Sequence, residues 1–166
     1  MAVETLVSVE EYLNTSYSPD MEYVDGVLVD RNVGDLQHSL TLSNVIFALM
    51  QKYPSVKVLP GVTWKVTETR YRIPDVAVVL RKPAGRFITE APFVAIEILS
   101  EEDRVTRLIE KLKEYAAMGI PNIWVFDPRL KEMFVFQEGN LLEVKGDTIS
   151  TSDGQIDLTR QEIFQH

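Results

Sequence analysis

The chain contains no cysteine, which excludes disulfides, thiolate zinc sites and a cysteine nucleophile. Histidine is nearly as scarce. His38 and His166 are the only two, so one chain cannot assemble a multi-histidine metal centre. The eight glycines are scattered, and none belongs to a phosphate loop or a dinucleotide fingerprint. Long apolar runs are missing too. Residues 93–99, interrupted by Glu97, fall far short of the roughly 20 residues that a membrane-spanning helix needs. The start, Met1-Ala2-Val3-Glu4-Thr5, lacks the basic and apolar stretches of a secretory signal. These absences predict a cytoplasmic protein with no membrane partner. Its chemistry must rest on carboxylates, lysine, arginine, hydroxyls or one internal histidine.

What is present is the balance of a globular protein. At 166 residues, 45% apolar and 25% charged, the chain suits a single domain over 1–166 with one core. The net charge of −8 is unevenly spread: twelve of the 17 basic residues fall within 61–131. A local basic surface can therefore coexist with an acidic total.

Turn and capping signals divide the chain. Ser8-Val9-Glu10-Glu11 has the capping-box spacing and predicts a short helix, ended by Pro19-Asp20. Asp25-Gly26, between Glu22-Tyr23-Val24 and Val27-Leu28-Val29, predicts a tight hairpin. Asp35 is placed to cap a helix running to about Tyr53. Its apolar positions, from Leu36 and Leu40 through Phe47, Leu49 and Met50, wrap so broadly that we expect it to be well buried. Strands are expected at 56–59 and 62–67, and strands apolar on both faces at 74–80 and 93–99. A helix from about Asp103, its expected N-cap, to Met118 stops at Gly119 and Pro121 and leads to a strand at 123–126. A hairpin about Gly139-Asn140 should form a sheet edge. The strand–helix–strand unit at 93–126 favours a right-handed crossover and an α/β sheet core.

Glu97 interrupts a strand that should be covered on both faces, and Asp75 heads the preceding one. A buried carboxylate must be protonated, paired with a base or bound to a cation. If the two strands are neighbours, both acids converge at one end and form hard-oxygen ligands for magnesium or manganese. The residues alone equally allow Asp75 to pair with Arg72 and Glu97 with another base. On the helix from Asp103, Lys111 lies on one flank of the apolar stripe beside Tyr115 and Arg104, with Lys113 on the other flank. Either lysine could be solvated, Lys111 beside Glu114, or could fold back toward the acids.

Arg72-Ile73-Pro74-Asp75-Val76-Ala77-Val78-Val79, Val94-Ala95-Ile96-Glu97-Ile98-Leu99-Ser100, Glu110-Lys111 with Glu114-Tyr115, Gly119-Ile120 and Ile123-Trp124-Val125-Phe126-Asp127-Pro128 occur in this order. The set resembles the Uma family of restriction endonucleases, a branch of the PD-(D/E)XK nuclease superfamily. Glu22-Tyr23-Val24-Asp25-Gly26 and His38 fit it as well, so the resemblance covers 9–128. It implies a restriction-endonuclease-like α/β fold, a mixed β-sheet core flanked by helices. It also implies a magnesium or manganese site of Asp75, Glu97 and the Ile98 carbonyl. The superfamily's usual lysine position, two after the second acid, holds Leu99 here, and the resemblance moves that role to Lys111, with Lys113 as the fallback. Glu22 would approach the metal or its water; His38 would hold a phosphate or water or act as acid or base, or equally be a helix residue satisfied by backbone or water. By its place one turn from Lys111, Tyr115 could equally orient that lysine or pack as an aromatic.

The activity so implied is metal-dependent hydrolysis of phosphodiester bonds in DNA. Lys65, Arg70, Arg81, Lys82 and Arg104 would contact the DNA backbone, and a homodimer would suit cutting two strands. The alternative is a non-catalytic nucleic-acid-binding or regulatory domain that keeps the nuclease fold, in line with the acidic balance and with Leu99. A hydrolase of small phosphate esters is a weaker third reading, given the lack of a phosphate loop.

Overall fold

The computed structural model describes residues 5–31, 34–101 and 103–165; His166 lies outside them. Helix α1 (Val9–Asn14) begins where expected, with Ser8 Oγ accepting from the Glu11 amide at 3.1 Å. It stops at Asn14, well before Pro19-Asp20. There Asn14 Nδ2 and the Thr15 hydroxyl donate back to the Glu10 and Glu11 carbonyls, satisfying acceptors at the helix end. Strands β1 (Met21–Val24) and β2 (Val27–Asp30) form the expected hairpin. Asp25 and Gly26 adopt φ of 49° and 94°, as a two-residue turn between right-twisted strands requires.

Helix α2 (Leu36–Lys52) is capped by Asp35, whose carboxylate accepts from the His38 amide at 2.9 Å. It is not buried all round, as its broad apolar pattern led us to expect. Thr41, Val45, Ala48 and Leu49 face the core, while Leu36, Leu40, Phe47 and Met50 are exposed. Sheet and C-terminal segment cover one side only.

The main sheet has six strands: β3 (Lys57–Pro60), β6 (Val76–Val79), β7 (Val94–Ile98), β8 (Asn122–Asp127), β9 (Glu132–Gln137) and β10 (Asn140–Val144). Their order is β10-β9-β8-β7-β6-β3, and only β7 and β8 run parallel. That pair is joined by α3 (Val105–Ala117), which ends before Gly119 at φ 88°. Its N-cap is Arg104, not Asp103. Asp103 instead accepts from the Ser100 amide and hydroxyl at 2.6 and 3.2 Å, tightening the turn after β7. Strands β4 (Trp64–Thr67) and β5 (Arg70–Arg72) join the hairpin in a second, antiparallel sheet, order β2-β1-β5-β4.

Strand alternation splits the core. Val76, Val78, Ile96, Ile98, Trp124 and Phe126 pack toward α2 and the C-terminal segment. Ala77, Val79, Ala95, Ile123 and Val125 pack with Leu112 and Tyr115 of α3. The segment after β10 was not anticipated. It forms β11 (Thr148–Ser150), β12 (Asp157–Thr159) and α4 (Arg160–Phe164), and inserts Ile149, Ile156, Leu158, Ile163 and Phe164 into the core. Lys52 anchors it through Asp157 and Glu162. No helix among the described residues is long and apolar enough to cross a membrane.

Candidate active site

The antiparallel register of β6 and β7 pairs Val76 with Ile96. Continued by one residue, it sets Asp75 opposite Glu97 on the face covered by α3. The same register sets Pro74 opposite Ile98, and proline has no N–H to offer the ladder. The Ile98 amide turns instead to Asp75 Oδ2 at 2.7 Å. In extended backbone a residue's N–H and C=O point to the same side, so the Ile98 carbonyl also points toward Asp75, with no ladder donor across from it.

Both acids are buried. Asp75 Oδ1 lies 3.2 Å from Arg31 Nη2 and 3.2 Å from His38 Nε2. Burial alone would raise the Asp75 pKa, but His38, the Ile98 amide and Arg31 hold it below the usual carboxylate value. His38 is raised in turn, chiefly by its hydrogen bond to Asp75 and against its own burial. Gly34 makes room for that ring, since a Cβ there would stand 2.3 Å from His38 Nδ1.

Glu97 is in the opposite condition. Burial pushes its pKa up to about 8, with the nearby Asp75 and Glu22 carboxylates adding to the rise and Lys111 opposing it. Its Oε1 accepts from the Tyr115 hydroxyl at 2.6 Å and lies 3.8 Å from Lys111 Nζ. Tyr115 itself is fully buried against Trp64, ring centroids 5.0 Å apart. It therefore holds the acid rather than the lysine.

Lys111 does fold back from α3, and Lys113 is exposed. Lys111 Nζ lies 3.1 Å from Glu22 Oε1. Burial opposes its charge, yet Glu97 and Glu22 raise its pKa above the ordinary lysine value. Glu22 is brought in by β1 and also accepts from the Ile73 amide at 2.9 Å and from Arg72 Nη1 at 3.2 Å. Arg72 thus pairs with Glu22 and, through Nε and Nη2, with Glu114 at 2.6 and 2.9 Å, not with Asp75. Glu114 is taken by Arg72 and Arg70 rather than by Lys111. Arg70 also holds Asp25 and Glu110.

The five candidates Asp75, Glu97, Lys111, Glu22 and His38 therefore line one open cleft, with Arg31, Arg104 and Arg107 at its walls. Of the basic residues expected to face DNA, Arg70 is engaged in this ion network and Lys65 pairs with Glu68 at 2.9 Å. Arg81, Lys82 and Arg104 remain exposed. Sequence reasoning missed Arg31 and the Glu22–Arg72–Glu114 chain, whose members are far apart in sequence. The one local signal was Gly34, four residues before His38. Among the described residues no group of three or more His, Asp or Glu side chains is arranged to hold a metal ion.

No curated protein matches the chain. A crystal structure from Anabaena variabilis ATCC 29413, described as "a putative nuclease belonging to DUF820", has the same fold: TM-score 0.77 over 95% of this chain and 97% of that one, at 18% identity. The sequence profile of the Uma2 family, described as "Putative restriction endonuclease", matches residues 9–160. That span takes in every residue of the cleft described above, and it runs on through the C-terminal strands that complete the core. The chain belongs to the Uma2 family.

Proposed function

We propose that this protein is a magnesium- or manganese-dependent endonuclease that hydrolyses phosphodiester bonds in DNA. The observation that carries the reading is the β6–β7 register, which continued by one residue sets Asp75 opposite Glu97, with the Lys111 ammonium 3.8 Å from Glu97. The donors fit a hard divalent cation: two carboxylate groups and the Ile98 carbonyl, which Pro74 leaves without a ladder partner. Magnesium keeps several waters of its own, so two or three protein oxygens suffice. When bound, the ion supplies Lewis-acid activation of phosphate and water.

The remaining steps belong to the chain. Tyr115 fixes the orientation of Glu97, and the Ile98 amide fixes that of Asp75. Lys111, held by Glu22, places a positive charge where negative charge develops on the phosphoryl oxygens. His38 can hold a proton near neutral pH at the edge of the cleft. Arg104 and Arg107 offer cations to the DNA backbone. A homodimer would bring two such clefts to one duplex.

The test is nicking of supercoiled plasmid at low salt with magnesium or manganese, beside calorimetry of metal binding. We expect cleavage by the wild type, and loss of both cleavage and metal binding in Asp75→Ala and Glu97→Ala. Metal affinity unchanged in both variants would defeat the site. No cleavage of single- or double-stranded DNA with either metal would favour the second reading, a non-catalytic nucleic-acid-binding or regulatory domain. The contact of Arg31 with Asp75, a cation already resting on one acid, is the observation on that side.

A further inference from the structure

Helix α2 carries two apolar faces. Thr41, Val45, Ala48 and Leu49 enter the core. On the opposite side Leu36, Leu40, Phe47 and Met50 are 72%, 37%, 61% and 60% exposed. With Ser43, also exposed, they repeat at spacings of four, three, four and three residues. At about 100° per residue all five fall within roughly 80° of arc. This is the narrow seam of a helix that packs against another helix.

The seam carries no charge. The only ionisable side chains on α2 are His38 and Lys52, engaged by Asp75 and by Asp157 and Glu162 respectively. Gln37, Ser39 and Gln51 are neutral neighbours on the exposed side. A surface lacking cations does not suit nucleic acid. A neutral surface does suit its own copy, since a charged one would repel itself. The spacing is also self-complementary. Ser43 stands midway between Leu36 and Met50 and nearly midway between Leu40 and Phe47. Two antiparallel copies crossing at Ser43 therefore oppose Leu40 to Phe47 and Leu36 to Met50, twice over, as a two-fold interface requires.

We infer that the outer face of α2 is a homodimer seam, in which two copies of this chain pack α2 against α2 antiparallel about Ser43. The area is adequate. With roughly 200 Å² of accessible surface for each large side chain, the four exposures amount to on the order of 450 Å² of apolar surface per protomer. Doubled, and extended by the polar flanks, this reaches the roughly 1,000 Å² that a specific interface needs. The inference names the surface for the homodimer considered above but stands without the nuclease reading, because it is tested without DNA or metal.

Sedimentation of the full chain from nanomolar to hundreds of micromolar should give a concentration-dependent dimer. Phe47→Lys should weaken it by at least about thirtyfold, the effect of one interface anchor residue, while leaving the circular dichroism unchanged and, at concentrations where the wild type is monomeric, the melting temperature as well. Leu142→Lys, at an exposed residue on β10, should dimerise like the wild type. Leu40→Lys and Phe47→Glu should each be monomeric alone and pair when mixed. Because the chain has no cysteine, Ser43→Cys introduces a single thiol that should cross-link to itself under mild oxidation. Leu36→Cys should cross-link only when mixed with Met50→Cys. A wild-type monomer across the whole range, or a dimer indifferent to Phe47→Lys, would overturn the seam. Self-linking of Leu36→Cys as fast as that of Ser43→Cys would overturn its antiparallel register.

Discussion

Replacing Glu97 with glutamine separates the charge of this side chain from its shape. The amide oxygen can still accept from Tyr115, but the group no longer titrates. In the wild type, burial raises the folded-state pKa from 4.5 to about 8. The folded protein therefore binds this proton more tightly than the unfolded chain does. Stability from this group is full below about pH 4.5 and declines as pH rises toward 8, at up to about 1.4 kcal/mol per pH unit. The full interval bounds the loss at about 5 kcal/mol, and we expect about 2–4 kcal/mol because Lys111 relaxes toward the ionised acid. Glu97→Gln should then match the wild type near pH 4.5 and exceed it by that amount near pH 8. The assay is urea unfolding followed by circular dichroism across this range, with a chelator present. Parallel pH profiles for the two proteins, or a variant less stable at pH 8, would refute the assignment of Glu97 as a burial-strained acid. The second outcome would identify it as half of a structural ion pair with Lys111.

Lys111→Ala should lower metal-dependent nicking by about two to three orders of magnitude while Lys113→Ala stays near wild type; equal losses in plasmid assays would misplace the lysine. The same Lys111→Ala change should cost about 1–3 kcal/mol in urea unfolding, a modest loss because Arg72 and the Ile73 amide still hold the buried Glu22. The raised pKa of His38 contributes stability that is complete below its unfolded pKa and lost as pH rises through the folded one. The gap in melting temperature between wild type and His38→Gln should therefore be widest in mild acid and shrink toward alkaline pH, and a gap that widens with pH would contradict the His38–Asp75 contact. Leu49→Ala, on the core side of α2, should cost about 2–5 kcal/mol by denaturant titration, and a cost under about 1 kcal/mol would mean that this helix does not seat as described.

The acids were legible because a charge stands out in a run of apolar residues. Glu97 within residues 93–99 and Asp75 at the head of its strand needed only strand adjacency to meet, and β6 and β7 are adjacent. Local punctuation was legible for the same reason: Asp25-Gly26 and Gly119 sit at positive φ, where side chains are costly. Pairings between distant segments were not. Arg31 meets Asp75 across 44 positions, and Arg72 meets Glu22 across 50, distances that no periodicity encodes. Strand β5 has only Tyr71, packed on Tyr12 and Tyr23, between two arginines, so the burial of Arg72 follows from the ion network rather than from hydrophobic pattern. The C-terminal strands and α4 left one clear signal that went unread. Thr159 and Glu162 form a capping box, the spacing that marked α1 at Ser8.

The two carboxylates stand at the open end of a strand pair, and the loop joining those strands, residues 80–93, closes its other end. Their separation is therefore inherited from the spacing of paired backbones, about 4.5–5.5 Å between opposed residues, rather than from the course of any loop. Ile88, buried beside Trp64 and hydrogen-bonded to Thr63 and Lys65, and Phe93, bonded to Val78, tie two points of that loop to the core; its exposed remainder can change length and composition while the spacing of the two acids stays fixed by the sheet. The two acids are thus insulated from the exposed part of that loop, which is free to diversify without moving them.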